Sequence, residues 1–228
     1  MEILGLEKVS MVDYPGEVCA TVFTGGCNYR CKFCHNSGIV NKDYYRFEED
    51  YIFEYLASRK SLIKAVTVSG GEPTLQKDLR TFIERLKSEN YLVKLDTNGT
   101  NPFVLKTLID DKLIDYVAMD IKTCFDDYNT VTDVKDSSVT NVKHSFEILL
   151  GDKVGYELRT TLVDEFHTVD KIEKMAEDIK GAKLLYLQKF KKSATCFDGD
   201  LTPVLHDKAK EFQGILSKTV TRVELRGY

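Results

Sequence analysis

The sequence has 228 residues, of which 43% are hydrophobic and 30% are charged, and its formal net charge is −4. This length and composition are ordinary for a globular protein and provide enough apolar residues for a sizeable core. The balanced charge does not favour a nucleic-acid partner, and neither a signal-peptide pattern nor an apolar run of ~20 residues is present, so we expect a cytoplasmic protein without a membrane span.

Six short apolar runs, with little alternation between apolar and polar residues, predict strands that are buried on both faces of a parallel sheet. Amphipathic segments separate them, and six such βα units in succession are typical of an open doubly wound sheet or of a barrel. Periodicity alone does not choose between the two. The predicted strands are Val18–Phe23, Ala65–Ser69, Leu92–Asp96, Tyr116–Asp120, Tyr156–Val163 and Lys183–Leu187.

Apolar residues at helical spacing predict helices between these strands. Asn101 followed by Pro102 adds the start of another helix, because it places a capping residue before a proline at the first helical position. A further helix near Thr202–Ser217 and a last strand near Val220–Leu225 complete the chain. The periodic segments are 79–86, 142–150 and 172–179.

Three of the six cysteines follow the first predicted strand closely, as Cys27, Cys31 and Cys34 in the spacing C-x3-C-x2-C. Thiolates this close in sequence are typical ligands of an iron–sulfur cluster or of zinc. Most iron–sulfur clusters have four cysteine ligands, so three leave one iron open, as in sites that bind a substrate. Gly25 and Gly26 allow the loop to fold back closely around a cluster.

The alternative is a structural zinc ion held by the three cysteines and His35. His35 directly follows Cys34, so it reaches the same metal only awkwardly, and no second cysteine pair has zinc-finger spacing. The remaining cysteines are too scattered to predict a second cluster. They are Cys19, which we expect in the core, and Cys124 and Cys196, for which the sequence indicates no role.

The cysteine spacing resembles that of the radical S-adenosylmethionine (SAM) superfamily, and Phe33 strengthens the resemblance as the aromatic residue before the third cysteine. The resemblance implies a [4Fe–4S] cluster on Cys27, Cys31 and Cys34, whose fourth iron chelates the amino and carboxylate groups of SAM. It also implies an α/β fold, the partial (β/α)6 TIM-type barrel of that superfamily. We expect one domain over residues 1–228, with the cluster loop at 24–36 and a C-terminal helix and strand at about 202–226.

Gly70, Gly71 and Glu72 stand at the end of the second predicted strand, followed by Pro73. They resemble the GGEP motif of the superfamily, which implies a contact with the SAM amino group. Glycines permit close backbone approach, and carbonyl oxygens and a carboxylate accept hydrogen bonds from an ammonium. The alternative is an ordinary turn before a helix.

Asp96 and Thr97 end the third predicted strand, and Asp120 and Lys122 lie at the end of the fourth. Polar residues at the C-terminal ends of barrel strands converge on one mouth. Both segments resemble those of the glycyl-radical-enzyme activases. The resemblance implies a SAM site with a monovalent cation near Asp96 and Asp120, and a contact of Lys122 with the SAM carboxylate. The alternative is a pair of polar surface turns.

Arg159 lies inside the fifth apolar strand and therefore needs an anionic or polar partner. The activase resemblance implies that it contacts SAM, and a buried acid elsewhere in the chain is the alternative partner. Gln188 ends the sixth strand, where the pyruvate formate-lyase activase has a histidine, so a contact with the SAM ribose remains an expectation.

The opening segment 5–16, together with Cys34-His35-Asn36 and residues 187–190, narrows the resemblance to anaerobic ribonucleoside-triphosphate reductase activating proteins of the longer type. This implies reductive cleavage of SAM and hydrogen abstraction from a glycine of a partner reductase, with flavodoxin or ferredoxin as electron donor. Two alternatives remain: a radical SAM enzyme acting on a small molecule, such as a 7-carboxy-7-deazaguanine synthase, and a non-catalytic metal-binding protein.

Overall fold

The computed structural model describes residues 1–41, 44–133, 137–193, 195–198 and 200–228. They form one eight-stranded sheet whose strand order follows the chain from β1 to β8. The first pair is antiparallel, and every later pair of neighbours is parallel. The strands are β1 (Ile3–Ser10), β2 (Cys19–Thr24), β3 (Ala65–Gly70), β4 (Leu92–Thr97), β5 (Tyr116–Asp120), β6 (Gly155–Leu162), β7 (Leu184–Lys189) and β8 (Arg222–Arg226).

Helices connect the parallel strands. Among them, α4 packs against α6, and α7 packs against α8. The Asn101 side chain accepts a hydrogen bond at the start of α4, as the sequence predicts. The helices are α1 (Ser37–Asn41), α2 (Glu49–Ser58), α3 (Leu79–Ser88), α4 (Pro102–Asp110), α5 (Tyr128–Thr132), α6 (Ser137–Leu150), α7 (Val169–Asp178) and α8 (His206–Leu216).

The strand order decides between the two architectures that periodicity left open. A doubly wound sheet reverses its strand order at a switch point, whereas a barrel keeps chain order throughout. Here the order never reverses, and β1 and β8 stand at the two ends of the sheet. The predicted partial α/β barrel is therefore confirmed.

The parallel strands carry apolar residues on both faces because both faces of the sheet are covered. Val66, Val68, Val93 and Leu95 are fully buried and belong to the principal hydrophobic cluster of the molecule. The predicted parallel strands are all present, with ends shifted by one or two residues. No helix among the described residues is long and apolar enough to cross a membrane.

Candidate active site

A cavity of about 280 Å³ opens where the C-terminal ends of β2 to β7 meet. This is the end of a barrel at which strand ends and their loops form active sites. Every site residue predicted from the sequence lines the cavity except Glu72. The lining includes Cys27, Phe33, Cys31, Cys34, Gly70, Gly71, Asp96, Thr97, Asp120, Lys122, Arg159 and Gln188.

The cluster loop, residues 24–36, is held mainly by its backbone. The Gly26 N–H donates to the Ile39 carbonyl at 3.0 Å, and the Arg30 N–H donates to the Thr132 carbonyl at 3.1 Å. Gly26 has a positive φ of 78°, a conformation that glycine adopts without the strain of a side chain. These contacts fix the path of the loop without using the cysteine side chains, which remain directed at the cavity.

Burial raises the pKa of all three cysteine thiols of the loop. It raises the pKa of Cys27 to about 11, that of Cys31 to about 12, and that of Cys34 in the same direction. The ammonium of Lys122 opposes this shift at all three cysteines and is the cation that favours their thiolate forms. A metal ion deprotonates a coordinating thiol outright, so three soft donors around one cavity fit a thiolate-bound cluster.

The contacts of His35 do not support its part in a zinc site. Its Nε2 atom makes a polar contact with the carbonyl oxygen of Lys191, and its ring packs against Phe190 with centroids 5.4 Å apart. Among the residues that the structure describes, no three His, Cys, Asp or Glu side chains converge closely enough to hold a single metal ion. His35 lines the same cavity as the three thiols, but its ring nitrogen is engaged by the Lys191 carbonyl.

The two glycines of the GGEP segment are required by the neighbouring loop. A Cβ atom on Gly71 would lie 1.8 Å from the Gly26 carbonyl oxygen, and one on Gly70 would lie 2.3 Å from the Thr24 nitrogen. The Gly71 N–H donates to the Thr24 carbonyl at 2.8 Å. The segment and the cluster loop thus lie backbone against backbone, and both glycines line the cavity.

Glu72 faces away from the cavity, in contrast to the expectation that its carboxylate accepts from a bound ammonium. The side chain is fully buried. Its Oε1 atom accepts from the hydroxyls of Thr74 at 2.6 Å and Thr97 at 2.7 Å, and Oε2 accepts from the Asn98 N–H at 2.6 Å. Burial raises its pKa, and these donors oppose the shift. The carboxylate ties the ends of β3 and β4 together.

Asp96 and Asp120 share one guanidinium. Arg159 donates from Nε to Asp120 at 2.9 Å and from a terminal nitrogen to Asp96 at 3.0 Å. Arg159 therefore has two acidic partners within the chain, and because the guanidinium also lines the cavity, its contact with SAM stays a prediction. Burial would raise the pKa of Asp120, but Arg159 and Lys122 hold it at about 2. Asp120, Arg159 and Lys122 are therefore all charged near neutral pH.

Sequence reasoning missed several residues of this site. Lys94 is buried on β4, and its ammonium lies 2.7 Å from Asp96. A charge inside an apolar strand needs a partner, which is the argument applied to Arg159. The same argument would have identified Lys94, which lies two residues before Asp96. Ser69 donates to Asp96 at 3.0 Å, and Asn98 donates to Asn28 of the cluster loop at 2.9 Å. No sequence signal indicates these two contacts.

His167 is a second missed residue, and it supports Lys122 from outside the cavity. The ring is fully buried, and its Nδ1 atom accepts from the Val163 N–H at 3.0 Å. A neutral ring in this tautomer donates from Nε2 to the Lys122 carbonyl, 3.1 Å away. The histidine thereby joins the segments that follow β5 and β6.

A sequence profile described as "Radical SAM superfamily" matches residues 21–179, and the chain belongs to that superfamily. Membership implies SAM and a [4Fe–4S] cluster as cofactors. A Methanocaldococcus jannaschii protein, provisionally named a glycyl-radical enzyme activating enzyme, is 34% identical over 192 residues, which cover 82% of this chain and 79% of that protein. A second protein of that organism, with the same provisional name, is 30% identical over 73% of this chain and 64% of its own length.

Solved structures share the fold. TYW1 with a lysine-pyruvate adduct bound matches with a TM-score of 0.60 at 18% identity, over 89% of this chain and 74% of that chain. Streptococcus suis SuiB bound to S-adenosylmethionine matches with a TM-score of 0.67 at 11% identity, over 89% of this chain and 48% of that chain. At these identities the likeness establishes the radical SAM barrel.

Proposed function

We propose that this radical SAM enzyme holds its [4Fe–4S] cluster on Cys27, Cys31 and Cys34 and generates a glycyl radical on a partner enzyme. The observation that carries the proposal is the cavity itself. Three thiols line one of its walls, and paired, partly buried charges on three strand ends line the other. The fourth candidate thiol, Cys196, does not line the cavity and contacts the Phe33 carbonyl at 3.9 Å. One iron is therefore left for SAM.

The cofactors supply the chemistry: with the cluster reduced, SAM is cleaved to methionine and a 5′-deoxyadenosyl radical. The protein supplies position and charge. Lys122 is held between Asp120 and the cysteine loop, where its ammonium would pair with the SAM carboxylate. Gly70 and Gly71 line the cavity, and their backbone carbonyls would accept hydrogen bonds from the SAM ammonium.

The remaining predicted contacts line the far wall of the same cavity. Asp96, Thr97 and Arg159 bound the space beyond the carboxylate group, and Gln188 supplies an amide for the ribose hydroxyls. Phe33 is almost fully buried and closes the cavity near the cysteines, which limits access of water to a reactive radical.

A glycine of a partner protein is the proposed hydrogen donor, and anaerobic ribonucleoside-triphosphate reductase is the proposed partner. Support comes from the relatives that carry the activating-enzyme name, which align with most of this chain. Flavodoxin or ferredoxin would supply the electron. The test is to mix the reduced enzyme, SAM and the reductase anaerobically and to record the EPR spectrum. A glycyl doublet that requires all three components supports the assignment, and its absence with an active enzyme contradicts it.

A small-molecule substrate is the second candidate. A Saccharolobus solfataricus protein, provisionally named a GTP 3′,8-cyclase, is 38% identical, but over only 95 residues, which are 41% of this chain and 30% of that protein. Incubating the reduced enzyme with GTP, and separately with the pterin substrate of a 7-carboxy-7-deazaguanine synthase, tests this candidate. Conversion of either compound would favour it over the protein substrate.

The assignment of cluster ligands is tested by two matched cysteine variants. After anaerobic reconstitution, wild type and Cys196→Ala should each hold about four irons and release 5′-deoxyadenosine from SAM with dithionite. Cys31→Ala should do neither. If Cys31→Ala cleaves SAM as fast as wild type, or if Cys196→Ala loses its cluster, then the open-iron site is not the one described here.

A further inference from the structure

The buried and partly buried charges at the ends of β4, β5 and β6 form one group of two anions and three cations. Asp96 pairs with Lys94 at 2.7 Å and with Arg159 at 3.0 Å. Asp120 pairs with Arg159 at 2.9 Å and with Lys122 at 2.8 Å. These four ion pairs alone join three positive charges to two negative ones.

The same residues are those that the activase resemblance assigns to a monovalent cation, and their oxygen atoms are already engaged. Asp96 accepts on Oδ1 from Lys94 and on Oδ2 from Ser69 and Arg159. The Thr97 hydroxyl donates to Glu72 at 2.7 Å and accepts from the Gly99 N–H at 3.1 Å. An inorganic cation would have to compete with protein donors for each of these oxygens.

Electrostatics oppose the added ion as well. A further positive charge would be repelled by three cationic groups and attracted by only two carboxylates, in a site where charges are weakly screened. The sulfonium of SAM brings one more positive charge to the same cavity. The arrangement therefore does not fit a bound monovalent metal ion.

Lys94 explains why this site differs from the cation site that the activase resemblance implies. It lies two residues before Asp96 on β4, so both side chains point to the same face of the strand. Its side chain is only 3% exposed, and its ammonium is a compact point charge of the same sign and valence as K⁺. We propose that the Lys94 ammonium takes the place of the monovalent cation, so that this enzyme binds and cleaves SAM without Na⁺ or K⁺.

This inference rests on the proposed SAM site, so the test distinguishes failure of the proposed function from failure of the proposed role of Lys94. Reconstituted wild-type enzyme is assayed in potassium, sodium and tetramethylammonium chloride at equal ionic strength, for SAM affinity and for 5′-deoxyadenosine release. Cleavage in any of these salts supports the proposed function. Values that agree within about twofold across the salts support the role of Lys94. A loss of about tenfold or more without K⁺ or Na⁺, an effect typical of a coupled ligand, would overturn it.

Lys94→Met is the matching variant. Removing the ammonium frees one oxygen of Asp96. Lys94 itself lines a second cavity of about 470 Å³, together with Arg159. In tetramethylammonium chloride the variant should bind SAM at least about tenfold more weakly, and K⁺ should restore binding in a saturable way. Equal SAM affinity in both salts would overturn the proposal. Lys153→Met, which removes an exposed lysine far from the cavity, is the control.

A third readout does not depend on SAM. A cation that binds the folded state raises the melting temperature with its concentration. At constant ionic strength, replacing tetramethylammonium by K⁺ should leave the melting temperature of wild type unchanged and raise that of Lys94→Met. A K⁺-dependent rise in wild type would show a cation site in the native protein and would overturn the proposal, even if Lys94→Met fails to fold.

Discussion

The two walls of the cavity are built by different means. The cluster loop and the end of β3 are joined backbone to backbone, with Gly70 and Gly71 lying against Thr24 and Gly26. The ends of β4, β5 and β6 are joined by charged side chains that share Arg159. The first wall therefore depends on the absence of side chains, and the second on the balance of charge. Substitutions should affect the two walls in different ways.

The largest expected effect comes from breaking the charged wall at its centre. Arg159→Met leaves the partly buried Asp96 and Asp120 with fewer cationic partners, because the guanidinium bonds to both carboxylates. Loss of one member of a buried ion-pair network costs about 3–5 kcal/mol. We expect a decrease of this size in the free energy of unfolding, measured by urea denaturation of the protein without cofactors at neutral pH.

Arg80→Met is the control for this variant. Arg80 also pairs with two carboxylates, those of Glu84 and Asp111, but its side chain is 48% exposed. Exposed pairs contribute little to stability, so the denaturation midpoint should not change measurably. If both variants lose the same stability, the buried network does not hold the second wall together.

The second effect depends on pH and concerns the support of the charged wall by His167. Burial lowers the pKa of His167 from 6.5 to about 4. The unfolded chain therefore takes up a proton near pH 6.5, whereas the folded protein does so only near pH 4. Between these values the unfolded state binds more protons, so stability falls as the pH falls, by a total of about 3 kcal/mol at about 1.4 kcal/mol per pKa unit.

Urea denaturation across this pH range measures the effect. His167→Gln should lose this part of the pH dependence, although it is less stable than wild type at neutral pH because the contact with Lys122 changes. His144→Gln is the control, since His144 is exposed, and it should keep the wild-type slope. A wild-type slope that survives in His167→Gln would assign the dependence to another group.

The third effect breaks the backbone wall. In Gly71→Ala the new methyl group would meet the Gly26 carbonyl at 1.8 Å, so one of the two segments must move. Overpacking of this kind costs about 1–3 kcal/mol. We expect that loss in urea denaturation, together with a lower iron content after reconstitution, because the Gly26 segment leads directly into Cys27.

Gly214→Ala is the matched control in α8. A Cβ atom at Gly214 would meet no other atom within 4 Å, and its φ is not positive. Alanine should stabilise the helix there by about 0.5–1 kcal/mol, with no change in iron content. If Gly71→Ala behaves in the same way, the two loops do not depend on their backbone contact.

The two walls also differ in how far the sequence predicts them. The cysteines and the two glycines each occupy one short segment, so their spacing alone indicates a site. The charged wall is assembled from three strands. The Asp96 and Asp120 segments were identified by resemblance, and Arg159 was identified both by resemblance and by its charge inside an apolar strand. Lys94 was missed although the physical argument for Arg159 applied to it equally. His167 could not be predicted, because its partners lie in two loops that only the fold brings together.

The fold itself was predictable where burial leaves a pattern. Strands covered on both faces, such as β3 and β5, show continuous apolar runs, and their predicted limits are close to the observed ones. The edge strand β1 was missed, because Glu7 and Lys8 are exposed and interrupt the apolar pattern. The direction of Glu72 was also unpredictable, since its four donors come from two different strand ends.

The smallest expected effect lies at Asn101, where the loop after β3 meets the helix after β4. Its Oδ1 atom accepts from the Val104 N–H at 3.5 Å, and its Nδ2 atom donates to the Thr74 carbonyl at 3.1 Å. Asn101→Ala removes both contacts and should lower the free energy of unfolding by about 1 kcal/mol, the usual value of a helix cap. Asn101→Asp keeps an oxygen acceptor, with a charge favourable at a helix N-terminus, but loses the donor to Thr74. We therefore expect Asn101→Asp to retain most of the stability in urea denaturation. If it is as unstable as Asn101→Ala, the contact that matters is the one to Thr74, and the junction between the two walls depends on a side chain bonded to backbone rather than on the helix cap.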